Sequence, residues 1–84
     1  MSNPLFAKLK MQLSVLTKEK DEIELKIQRY FLEMSNYLAD MYKPINQVHA
    51  NEIEQCGNDI LNLKQKYIEI DKKCNDIKSQ LDLI

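Results

Sequence analysis

Residues 49–84 read HANEIEQCGNDILNLKQKYIEIDKKCNDIKSQLDLI. Alternate steps of four and three from His49 visit Ile53, Cys56, Ile60, Leu63, Tyr67, Ile70, Cys74, Ile77, Leu81 and Ile84, all of them apolar. An apolar residue every 3.5 positions, sustained to the last residue, predicts a helix packed along a coiled-coil seam. The small mismatch with 3.6 residues per turn keeps one narrow stripe facing a neighbour. Working upstream, the same stepping from Phe6 gives Leu9, Leu13, Leu16, Lys20, Ile23, Ile27, Tyr30, Met34, Tyr37 and Met41, with Lys20 the single charge.

The two stripes do not share one frame. Carried past Met41, the first would put Pro44, Val48 and Asn51 on the seam. The break sits beside Pro44, which removes a helical hydrogen bond and drives Lys43 out of the helical region. One straight helix is thereby excluded, and two are expected. Helix one should run over about residues 4–42, with Ser2 or Asn3 as its cap and Pro4 in the first turn. Helix two has two candidate starts, Pro44 itself or Asn51 with its capping-box-like Asn51-Glu52-Ile53-Glu54. Its start is placed near Asn46, giving a turn at about 43–47 and helix two at about 47–84.

Two long helices with a short connection return antiparallel. Seam partners should then have residue numbers of constant sum, and they do. Phe6 pairs with Ile84, Leu9 with Leu81, Leu13 with Ile77, Leu16 with Cys74, Lys20 with Ile70 and Ile23 with Tyr67, each pair adding to 90. The series runs on through Tyr37 with Ile53 to Met41 with His49. The expected fold is therefore all-α: one long antiparallel, coiled-coil-like hairpin spanning residues 1–84 as a single domain.

The positions flanking the seam divide the hairpin into two faces. On one, Phe31 lies opposite Gly57 and Leu38 opposite Ala50, large over small, which predicts that Gly57 makes room for Phe31 and that Gly57→Leu is destabilising. This face also carries Leu61 and Ile68, with Leu25 and Leu32 further round. The other flank, with Glu19, Lys26, Glu33 and Asp40 beside Glu52, Asp59, Lys66 and Lys73, should be wet. A two-helix hairpin cannot cover Leu25, Phe31, Leu32, Leu38, Leu61 and Ile68 by itself, and an apolar patch on so thin a structure marks an interface. The expected occupant is a second hairpin, making a four-helix bundle, or a helix of a heterologous partner protein.

Composition narrows the function further. One Gly, two Pro and no Trp in 84 residues cannot furnish the turns of a small β-fold. Residues 1–43 carry seven basic and six acidic side chains and residues 44–84 five and seven, for a net charge of −1. No basic stripe for nucleic acid results; the nearest approach is Lys8, Lys10, Lys18 and Lys20. No apolar run has membrane-spanning length, and the lysine-broken Leu5–Met11 stretch is no signal-peptide core. Cys56 and Cys74 stand about 27 Å apart on one helix, beyond disulfide reach, and read as buried thiols in a reducing, cytoplasmic setting.

Chemistry-bearing constellations are sparse. No metal set, phosphate loop or nucleophile–base arrangement is present, so no enzyme, cofactor, metal site or small-molecule substrate is expected. His49 is the one imidazole. Histidine phosphotransfer modules are also helical hairpins that dimerise into four-helix bundles, and this is the alternative reading. His49, however, is followed by Ala50 rather than the acidic residue of histidine-kinase dimerisation domains, and it sits on the seam. Lys20 reads either as a snorkelling lysine or as a device that sets register. In size and plan the chain is similar to the small helical chaperones of bacterial secretion systems, and it invites comparison with hairpin-forming WXG-type proteins, from which it departs in having no Trp. The function expected is a protein–protein interaction module, adaptor or chaperone-like; a small regulatory or anti-activator protein is a further alternative.

Overall fold

The computed structural model describes residues 3–39 and 49–84. It contains two helices, α1 (Pro4–Leu38) and α2 (Ala50–Asp82), which pack against each other as a hairpin, and no strand among the described residues. Asn3, in extended conformation, caps α1: its side-chain oxygen accepts from the Leu5 N–H at 3.0 Å. Pro4 follows at the first helical position, where its missing N–H leaves no gap in the ladder.

α1 is described from Pro4 to Leu38, and the Ala39 N–H still reaches the Ser35 carbonyl four residues back at 3.0 Å; the expected end near Tyr42 lies outside the described residues. α2 begins at Ala50 behind His49, three residues after the expected start at about 47. The turn at 43–47, Asn46 and the Met41 side of the last seam pair lie outside the described residues. At its far end α2 also closes early. Leu83 and Ile84 donate to Gln80 and Leu81, three residues back, and this 3₁₀-like winding takes Ile84 off the seam. The outermost layer expected, Phe6 with Ile84, is accordingly exposed on both sides.

Inside those ends the stripe is what is covered. Leu9, Ile23, Cys56, Ile70, Cys74 and Ile77 are buried, and Leu13, Leu16, Ile27, Tyr30, Met34, Tyr37, Ile53, Ile60, Leu63, Tyr67 and Leu81 are half-buried. Ile23, Ile70 and Cys74 form the centre, with Leu13, Leu16, Ile27, Leu63 and Tyr67 packed around them. Contacts between the helices fix the register. Lys20 meets Asp71, Tyr67 meets Glu24 and Tyr37 meets His49, and their numbers add to 91, 91 and 86. The alternatives one heptad away would centre on 83 or 97, so the expected alignment is the one adopted. With only a single line of contact the molecule is long and thin, 69 × 15 × 13 Å. Its radius of gyration is 19.3 Å, against about 12 Å for a globular chain of this length.

Candidate interaction face

At the middle of the hairpin four polar side chains cross the seam. Lys20 Nζ donates to Asp71 Oδ1 at 2.7 Å and lies 5.1 Å from the centre of the Tyr67 ring. The Tyr67 hydroxyl donates to Glu24 Oε1 at 3.0 Å. Each helix thus contributes two residues four apart, Lys20 with Glu24 and Tyr67 with Asp71, which places both pairs on one edge. Lys20 was expected opposite Ile70. Its methylene stem follows the seam while the ammonium reaches past Ile70 to the flanking carboxylate, the usual behaviour of a lysine at an apolar contact. The hydrogen bond between them holds the Asp71 carboxyl below its ordinary value and raises Lys20 above its own. Donation to Glu24, with burial, raises the Tyr67 phenol.

This clasp identifies the edge on which the unclaimed apolar residues lie. Leu25, Phe31, Leu32, Leu38, Leu61 and Ile68 are all exposed, between 43% and 66%. The structure brings five of them together. By the register, Leu61 is level with Arg29 and Ile68 with Glu22, so Leu25, Phe31, Leu32, Leu61 and Ile68 occupy one stretch about 15 Å long. Leu38 stands apart, nearer the end where the chain crosses between helices.

Gly57 does not serve the purpose expected of it. A Cβ built there would meet only the Met34 Cε methyl, at 3.9 Å, an ordinary van der Waals contact. No atom of Phe31 comes within 4 Å of that Cβ, and Phe31 remains more than half exposed. A single methyl at this position therefore meets no conflict within one hairpin. Nor does the backbone need glycine, since Gly57 has no positive φ.

The opposite flank is only partly as expected. Around Lys26, Arg29, Glu33, Asp59 and Asn62 it is polar. Toward the open end, Met11, Val15, Leu16 and Ile77 line an apolar groove of about 560 Å³, edged by Gln12, Lys73 and Asp76. Val15 was not anticipated. It lies four residues after Met11 on an outward face, and that apolar pair at helical spacing was the available signal.

His49 is the N-terminal cap residue of α2. Its carbonyl accepts from the Ile53 N–H at 2.9 Å, its Nδ1 lies 3.9 Å from Glu52, and its ring packs on Tyr37 with centroids 4.9 Å apart. Tyr37 in turn donates to Glu33 at 3.1 Å, which raises its phenol. Both cysteines are free and buried, and burial pushes the Cys56 thiol up. Among the described residues no group of His, Cys, Asp and Glu is placed to hold a metal ion, and no helix is long and apolar enough to cross a membrane.

Fold and face together define an all-α hairpin with a paired seam and uncovered apolar residues on both flanks. Comparison with protein-family models, characterised proteins and solved structures finds no match to this chain.

Proposed function

We propose that this chain is a non-enzymatic protein–protein interaction module, an adaptor or chaperone-like hairpin of a reducing compartment that self-associates and takes a partner helix. One observation carries the reading: the exposed apolar patch of Leu25, Phe31, Leu32, Leu61 and Ile68 on a hairpin whose seam is already closed. Water contact with so many clustered large side chains is unfavourable, and burial against a second helical surface relieves it. The surroundings of His49 are those of a capping residue packed on a tyrosine, so they lend no support to phosphotransfer. Sedimentation equilibrium at micromolar concentration tests the proposal. A dimer is expected, converted to monomer by Phe31→Glu or Ile68→Glu with helicity retained. A wild-type monomer, or variants that still dimerise, would refute self-association through this face.

A further inference from the structure

We infer that the Lys20–Asp71 and Tyr67–Glu24 contacts are the key that selects the register of the hairpin, holding its helices to one alignment among several that the apolar stripe would accept. This role belongs to the single hairpin and does not depend on self-association.

The stripe by itself is ambiguous. It repeats every seven residues, so sliding α2 along α1 by one heptad again sets apolar residues against one another at nearly every layer. Such a slide gives up end layers only, and the outermost of these, Phe6 with Ile84, is exposed already. The charges of the polar flank do not choose the observed alignment either. There Glu19 comes level with Lys73, but Lys26 comes level with Lys66 and Glu33 with Asp59. Charge pairs at a wet surface contribute little in any case.

The crossings beside the seam do discriminate. Lys20 with Asp71, Tyr67 with Glu24 and Met34 with Gly57 all have numbers adding to 91, so they belong to one repeating set. In that set the α1 seam offers Leu13, Lys20, Ile27 and Met34, and α2 offers Gly57, Lys64, Asp71 and Lys78. The first series holds one base and the second one acid, and only the observed alignment joins them. One heptad either way, Lys20 would meet Lys64 or Lys78. Asp71 would meet Leu13, with Lys10 a turn away, or Ile27. Asp21 is the immediate neighbour of Lys20 in every alignment and favours none. Asp82 is one turn beyond Lys78, whereas Lys20 leans from Asp71 back toward Tyr67, so that acid would stand on the far side.

The reciprocal crossings agree. The α2 seam offers Ile60, Tyr67 and Cys74 to Thr17, Glu24 and Phe31 of α1. Only the observed alignment gives the phenol a carboxylate. The displaced ones set Tyr67 against Thr17 or Phe31 and leave Glu24 against Ile60 or Cys74. A charge stranded at an apolar contact, or facing its like, penalises the wrong alignment. A polar residue on an apolar seam that specifies register is the best-attested use of such a group.

A fourfold variant moves the key and keeps the composition. Ile60→Tyr, Lys64→Asp, Tyr67→Ile and Asp71→Lys together carry the phenol and the carboxylate of α2 back by one heptad. Nitroxides on Ser14→Cys and Asn58→Cys, both exposed sites, report the alignment by double electron–electron resonance. The native thiols are buried, and dilution with unlabelled chain restricts the signal to distances within one molecule. Residue 14 is now level with residue 76, which offsets the labels along the hairpin by 18 residues, about 27 Å. With the key moved it should be level with residue 69, an offset of 11 residues, about 16 Å. The shorter distance is expected, with helicity unchanged by circular dichroism. Retention of the longer distance would overturn the inference. Loss of helicity would do the same, since the displaced alignment would then be no competitor. Lys20→Glu gives a second reading: repelled at Asp71 and attracted at Lys64 and Lys78, it should deplete the wild-type distance. A distribution identical to that of the wild type would likewise count against the key.

Discussion

Gly57→Ala isolates what a single hairpin demands of its one glycine. Glycine in a helix interior is less favourable than alanine by about 1 kcal/mol, because it loses more backbone freedom on folding. Gly57 lies within α2, seven residues past its start, with ordinary helical backbone. The added methyl would lie 3.9 Å from Met34 Cε, close enough for contact and too far for conflict. Propensity and packing therefore have the same sign. The variant should be more stable by about 1 kcal/mol, a rise of about 4–8 °C in Tm for a chain of this size. Urea unfolding followed by circular dichroism measures it, at a concentration where sedimentation shows monomer, so that dimer contacts do not enter. A lowered midpoint would refute the reasoning. It would mean that some group within the hairpin approaches position 57 more closely than Met34 does.

Three other outcomes follow from the packing and the clasp. Ile23→Ala, at the centre of the buried cluster, should destabilise by about 2–5 kcal/mol; thermal denaturation with less than 1 kcal/mol of change would contradict the assignment of the core. The clasp makes stability depend on pH at both extremes. Asp71 is depressed from 3.8, so its contribution is present above that value and lost as pH falls through its lower folded value. Lys20 and Tyr67 are raised from 10.5 and 10.0, so theirs are present below those values and lost as pH rises through the folded ones. Asp71→Asn should flatten the acid limb of a plot of Tm against pH, and an unchanged limb would show that the ion pair is not formed in solution. Finally, Cys56 and Cys74 should react with a thiol reagent such as dithionitrobenzoate only as fast as the hairpin opens; rapid labelling of both in native buffer would place them outside the seam.

The fold was legible because a heptad stripe is a long-range signal of simple form. Eleven positions per helix agree on one frame, and the constant sum of 90 aligns them without any knowledge of side-chain shape. The exposed patch was legible for the same reason, since Leu25, Phe31, Leu32, Leu61 and Ile68 are the large apolar residues off the stripe on one edge. What escaped depends on how far particular side chains reach. Lys20 extends past its geometric partner Ile70 to Asp71. The group beside Gly57 is the end of the long, flexible Met34 side chain rather than Phe31, a matter of reach that residue spacing does not convey. The groove at Met11 and Val15 is lined jointly with Ile77 of the other helix, a neighbourhood that the stripe alone does not specify. The far end of α2 escaped because its last turn tightens through local hydrogen bonds that no apolar pattern encodes.

An arrangement of two antiparallel helices along one seam also has a mechanical meaning. Asn3 and Leu83 lie at the same end, so tension applied through both would open the hairpin one layer at a time. It would begin at the exposed Phe6 layer and meet the layer of Leu9 and Leu81 next. Each layer would yield before the following one bore load, and the Lys20–Asp71 clasp would stand as the first polar latch along the way. Tension applied between one end of the molecule and the other would instead load every layer at once. The same protein should therefore be compliant in one direction and stiff in the other.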